Sequence, residues 1–148
     1  MLKKYSDSLN SAKARLKIAD HMVKVGVGII GEKRILAKAL IELQKSVSFL
    51  IDAFLYYEPE KNKIKRLGDK ESRAQVFFNK ISRKYLNKEE SNCLKKVLIL
   101  TKKHKNAHLE FVKRDKFIIF NGETYDILTA EGLKNLIFTL NSIISRLP

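Results

Sequence analysis

GVGIIGEKRILAKALIELQKSVSFLIDAFLYY, residues Gly26 to Tyr57, decides the fold. Gly26, Gly28 and Gly31 fit G-x-G-x-x-G, and Asp52 follows Gly31 by 21 residues, near the spacing of a dinucleotide site. That chemistry needs a strand before the glycines and a second strand ending at the acid. The residues supply neither. Leu36, Leu40, Leu43, Val47, Leu50 and Phe54 recur at steps of three and four, straight through the place where the second strand would start. Ala39, Ile51 and Leu55 widen this stripe, and Pro59 ends it. Upstream, Leu9, Ala12, Leu16, Ala19 and Val23 keep the same period. The pattern therefore predicts a helix from Tyr5 to Val25, a glycine turn over Gly26–Gly31, and an antiparallel second helix from Glu32 to Tyr57.

Working outward, Lys61 to Lys70 reads as a basic linker. Asp69 is placed to cap a third helix, Lys70 to Tyr85, with Ala74, Phe77, Ile81 and Tyr85 on one side. Asn87 precedes Glu90 by three residues, a variant of the capping box, and predicts a fourth helix from Lys88 to Val112. The period changes at Lys116. Phe117–Phe120, Asn121-Gly122 and Glu123–Leu128 read as a β-hairpin, because Asn-Gly supplies the positive φ angles of a two-residue type I′ turn. Thr129 then caps a last helix, Ala130 to Leu147, whose stripe is Leu133, Leu136, Leu140, Ile143 and Leu147. The expected architecture is mainly α: one domain over residues 1–148, an antiparallel bundle of about five helices with one small hairpin near residues 116–128.

Composition narrows the function. The chain has 148 residues, 45% of them hydrophobic, which is enough to bury a core and too much for a disordered basic tail. Its single cysteine cannot form an internal disulfide, and with no targeting signal or long apolar run the expectation is a cytoplasmic protein that does not enter a membrane. Net charge is +14, and it is uneven. Residues 60–116 hold 18 basic and seven acidic side chains, whereas residues 117–148 hold two basic and three acidic. Charge of this size without a polyanionic partner mainly adds self-repulsion, so the expected partner is nucleic acid. The candidate phosphate contacts are Lys61, Lys63, Lys65 and Arg66 in the linker, and Arg73, Lys80, Arg83 and Lys84 in the third helix. Lys102, Lys103 and Lys105 in the fourth helix and Lys113, Arg114 and Lys116 before the hairpin complete the set. Tyr85 and Tyr125 are available to stack on bases. No base-reading code is present, which points to backbone-directed binding.

Other motifs carry less. His104 and His108 lie i,i+4 on the predicted fourth helix, as metal ligands do. A third and fourth ligand are missing, so no metal and no cofactor are assigned. Cys93 has no base near it in sequence and reads as a packing residue.

Ile18-Ala19-Asp20-His21-Met22, Leu55-Tyr56-Tyr57-Glu58 and Arg114-Asp115-Lys116-Phe117-Ile118-Ile119 together resemble a family of small archaeal helical proteins without a settled biochemical function. The helical part also resembles the HEPN bundle, with Ala37, Ala39, Leu40 and Leu43 along its long second helix. HEPN ribonucleases carry Arg, a polar residue, three variable residues and His; the matching stretch here is Lys103-His104-Lys105-Asn106-Ala107-His108. That resemblance implies His108 as general base and Lys103 as the group stabilising phosphate charge, although Lys lacks the planar fork of Arg. The primary expectation is a non-enzymatic RNA-binding protein, associated with RNA or the ribosome and able to form a homodimer through its apolar helix faces or hairpin edge. A HEPN-like ribonuclease or toxin component is the first alternative. A winged-helix DNA-binding protein, with the Asn121-Gly122 hairpin as wing, is the second.

Overall fold

A computed structural model describes residues 2–58 and 68–148, so Lys61, Lys63, Lys65 and Arg66 lie outside the described residues. Helix α1 (Leu2–His21) and helix α2 (Ile35–Tyr57) form the expected antiparallel pair. The predicted stripe of α2 is buried: Leu36, Leu40, Leu43, Val47 and Leu50 expose nothing. Against it lie Leu9, Ala12, Leu16, Ala19 and Val23 of the first helical stretch, all buried. A buried polar contact locks the pair in register, the Ser46 hydroxyl donating to the Ala12 carbonyl at 2.8 Å.

The glycine segment differs from a simple turn. Residues Met22–Val27 continue α1 as a π-helical turn, and α2 starts at Ile35, three residues later than expected. The Gly28 amide donates to Val23 O at 3.1 Å and the Ile30 amide to Val25 O at 2.9 Å, the five-residue spacing of a π turn. A Cβ on Gly26 would lie 2.7 Å from Ile35 Cδ1, so this glycine lets the end of one helix approach the start of the next. Gly31 has φ +81°, the left-handed conformation that reverses the chain. Both glycines thus serve helix packing, and the described residues before them are helical.

The third helical arm begins at α3 (Lys70–Val76), passes through a π-helical turn (Phe77–Ile81) and ends in α4 (Ser82–Tyr85). Asp69 caps it as expected, accepting from the Ser72 amide at 2.7 Å. Phe77 and Ile81 point inward; Phe54 of α2 stacks on Phe77 with ring centroids 5.3 Å apart and meets Tyr85 in a tilted contact at 5.1 Å.

Helix α5 (Lys88–Lys105) opens with the capping box: Asn87 accepts from the Glu90 amide at 2.8 Å, and Glu90 accepts from the Asn87 amide at 3.0 Å. The expected helix through Val112 is corrected here. The helix stops at Lys105, and Leu109–Lys113 is strand β1. It pairs antiparallel with β2 (Lys116–Phe120), which pairs with β3 (Tyr125–Leu128), so the expected hairpin is part of a three-stranded sheet in the order β1-β2-β3. The Asn121-Gly122 loop is also longer than expected. Phe120 faces Tyr125 and leaves four loop residues, because the Asn121 side chain accepts from the Glu123 and Thr124 amides, each at 2.9 Å. Gly122 keeps its positive φ, +103°. Helix α6 (Ala130–Ser145), capped by Thr129 onto the Gly132 amide at 3.0 Å, returns to pack on α1, α2 and α5. Among the described residues no helix is long and apolar enough to cross a membrane.

Arg146, just past α6, fastens the two ends of the C-terminal half. It forms a two-pronged ion pair with the nearly buried Glu90, one prong at 2.9 Å, and donates to Tyr85 O at 3.2 Å. The Arg146 hydrogen bond holds the Glu90 carboxyl below the ordinary carboxylate range, against the opposing effect of burial. A carboxyl with a lowered folded-state value contributes stability above its ordinary range and loses it as pH falls through the folded-state value. Glu90→Gln should therefore lower urea-unfolding stability by about 1–3 kcal/mol at pH 7. The gap to the native chain should narrow in acid below the ordinary Glu value of about 4.3. Equal gaps at both pH values would show that the ion pair contributes nothing.

Candidate nucleic-acid interface

The predicted cations divide into those holding the fold and those facing water. Arg73 donates from Nε to Asp52 at 2.9 Å, and Lys84 reaches the buried Glu58 at 3.3 Å. Lys103 pairs with Asp126 at 3.1 Å. Lys102 meets Glu71 only at 3.8 Å, with both side chains about three-quarters exposed (73% and 79%). Lys80, Arg83, Lys105, Lys113, Arg114 and Lys116 are exposed and make no ion pair among the described residues.

The two candidate stacking tyrosines separate in the same way. Tyr85 is built into the aromatic cluster with Phe54 and donates its hydroxyl to Glu58 at 2.9 Å. Burial, the Glu58 hydrogen bond and the Glu58 charge together push its phenol up to about 12. It is a structural residue. Tyr125 is 60% exposed, with no hydrogen bond from its hydroxyl among the described residues.

The sheet places Tyr125 on a surface that sequence reasoning did not assemble. Alternate side chains along a strand point to opposite faces, and the register aligns them across strands. One face carries Val112, Phe117 and Leu128 in one row and Glu110, Ile119 and Asp126 in the next. Phe117, Ile119 and Leu128 are buried in the core. Their acidic neighbours bind the end of α5: Glu110 pairs with His104, and Asp126 with Lys103. The opposite face carries three rows. Lys113 faces Lys116. Phe111, Ile118 and Ile127 form the second row, and Leu109, Phe120 and Tyr125 the third. Ile118 at its centre is buried but stands outside the main core cluster, and Phe111 and Phe120 are half-buried. Leu109, Tyr125 and Ile127 are 56%, 60% and 51% exposed. The Phe120 and Tyr125 rings stack with centroids 4.7 Å apart.

At the end of this apolar face sit three cations. Like charges directly opposite one another destabilise a sheet. Lys113 and Lys116 nevertheless occupy the last register pair, and Arg114 holds the turn between them at φ +58°. Asp115, exposed in the same turn, offsets one of the three charges. An anion over this end would relieve the repulsion, and the apolar rows beside it offer flat aromatic contact.

The predicted i,i+4 pairing of His104 and His108 is corrected, because it assumed a helix through both. His104 lies in the last turn of α5 against Glu110. His108 lies beyond the helix, exposed, with its amide donating to Phe120 O at 2.9 Å and its ring beside Gly122. Among the described residues no group of three or more His, Cys, Asp or Glu side chains is placed to hold a metal ion. Cys93 is buried between α5 and α6, its Sγ 3.9 Å from Leu136 O, and burial pushes its thiol up, away from nucleophilic use.

Comparison with protein-family models, curated proteins and solved structures finds no match. The interface therefore rests on its own chemistry. One signal in the sequence pointed to it: Phe117–Phe120 is an unbroken apolar run, which puts apolar residues on both faces of a strand rather than one.

The two faces should respond differently to substitution. Ile127→Lys, on the open face, should change unfolding stability by no more than about 0.5 kcal/mol. Ile119→Ala, one row away on the inner face, should cost about 2–5 kcal/mol. Chemical denaturation of both variants distinguishes them; a large loss from Ile127→Lys would mean that the face is covered.

Proposed function

We propose that this protein binds RNA without cleaving it, taking single-stranded segments on the open face of its sheet. The observation that carries the reading is the Lys113–Lys116 pair at the end of the Phe111, Phe120 and Tyr125 rows. Every base has a π face, so exposed aromatic rings hold single strands with little regard to sequence. The lysines and Arg114 take the phosphates, and each phosphate engaged releases counterions. The three rows span about 13 Å along the strands, from the rise of 3.3–3.4 Å per residue. That length suits two or three bases. Lys105 at the end of α5 is a further exposed cation available to a longer RNA, including a ribosomal one.

A binding role is favoured over ribonuclease chemistry by the state of the Lys103–His108 stretch. Lys103 and His104 are each engaged by an acid on the inner face of the sheet, and His108 is not on their helix. Lys103 and His104 are turned to separate acids, Asp126 and Glu110.

Fluorescence anisotropy with a labelled single-stranded RNA tests the proposal. Tyr125→Ala should weaken binding by about 1–3 kcal/mol, the usual worth of one base–aromatic stack. Replacing Lys113 and Lys116 by Gln should reduce the slope of log K against log salt by about 1–2. Binding that ignores both changes, or a native chain that binds no RNA at low salt, would refute it.

A further inference from the structure

On another side of the molecule, α2, the third arm and α5 enclose an open cleft of about 480 Å³. Its size falls in the range of small-molecule sites, roughly 300–1,000 Å³. Ile51 of α2, Ala74 and Phe78 of the third arm, and Leu98 and Ile99 of α5 supply apolar lining. Ile99 at the lip is 53% exposed, an aliphatic side chain left uncovered among the described residues.

The charged groups around this lining are unbalanced. Lys70, Arg73, Lys95 and Lys102 face it against Asp52 and Glu71. Arg73 and Asp52 satisfy each other at 2.9 Å. The remaining contacts are loose. Lys102 stands 3.8 Å from Glu71, Lys95 lies over the Phe78 ring at 5.3 Å, and Lys70 has no ion pair among the described residues. Lys95 and Lys102 are two turns apart on α5, about 10 Å at 1.5 Å per residue. The cleft thus sets Leu98 and Ile99 between two lysines about two helical turns apart, with surplus positive charge where Lys70 and Lys102 stand near Glu71.

We propose that this cleft binds a small amphipathic anion, its apolar chain lying against Ile51, Phe78 and Ile99 and its carboxylate held at Lys70 and Lys102. A purely polar anion would leave Ile99 and Phe78 in water, and an amphipathic cation would meet the lysines. The site is separate from the open sheet face and does not depend on the RNA reading.

Titration of the full chain with octanoate, followed by two-dimensional amide NMR, tests it. Saturable one-to-one binding is expected, with shifts centred on Ala74, Phe78 and Ile99. Octylammonium should bind about tenfold more weakly or worse, a difference of about 1.4 kcal/mol. Ala74→Trp fills the cleft and should abolish binding. Ile99→Asp lies at an exposed lip where folding tolerates it, and should weaken octanoate by about tenfold or more. Shifts centred on Leu109, Tyr125 and Ile127, equal affinity for octylammonium, or octanoate binding unchanged by Ile99→Asp would each overturn the proposal.

Discussion

The burial of α2 is the constraint that organises the molecule. Twelve of its 23 residues are buried, spread over more than half of the helix circumference, so no single partner can cover it. The α1 helix takes one side, the third arm another, and α5 and α6 the rest. This arrangement fixes α5 firmly, and the end of α5 in turn pins the inner face of the sheet through Lys103 and His104. Helix α6 is drawn back to α1, α2 and α5, and among the described residues the sheet's other face keeps Leu109, Tyr125 and Ile127 exposed. The open apolar rows follow from how the helices were spent on α2.

Charge in this protein acquires meaning only from its partner. Arg73, Lys84, Lys103 and Arg146 are as basic as Lys113 or Lys116 and serve the opposite purpose, since each holds an acid whose desolvation would otherwise cost stability. The acids they hold come from α2, from the residue after it, from the sheet and from the first turn of α5. These contacts therefore join elements distant in the chain, which a count of charges along the sequence cannot reveal. The described part of the central segment, residues 68–116, still carries 14 basic against six acidic side chains. Several of these form the exposed remainder on which the RNA reading stands.

Most of the helical frame was legible because it depends on local signals. The α2 stripe, the Asp69 and Thr129 caps and the Asn87–Glu90 box all act within a turn or two of themselves, and each is present. What escaped depends on distant residues. Leu109-Glu110-Phe111-Val112 follows α5 without a glycine or proline, and Leu98, Thr101, His108 and Phe111 continue an acceptable helical spacing. It becomes a strand because β2 supplies a ladder of partners for it. The Asn121 loop was lengthened by a side chain competing for the backbone amides. Of the candidate site, Lys113, Arg114, Lys116 and Tyr125 were readable as residues. Their alignment with Phe111 and Phe120 was not, since it needs the register of three strands.

The strand order β1-β2-β3 has a kinetic side. Within the sheet each strand pairs with its neighbour in sequence, β1 with β2 and β2 with β3. Helices α5 and α6 make longer returns onto α2, and Arg146 closes α6 onto Glu90. Contacts of short sequence separation close small loops and form quickly, whereas the α1–α6 contacts must wait for nearly the whole chain. The sheet that carries Phe111, Phe120 and Tyr125 is thus knitted by contacts between neighbours in sequence, whereas the two ends of the chain are joined by the longest-range contacts of the fold.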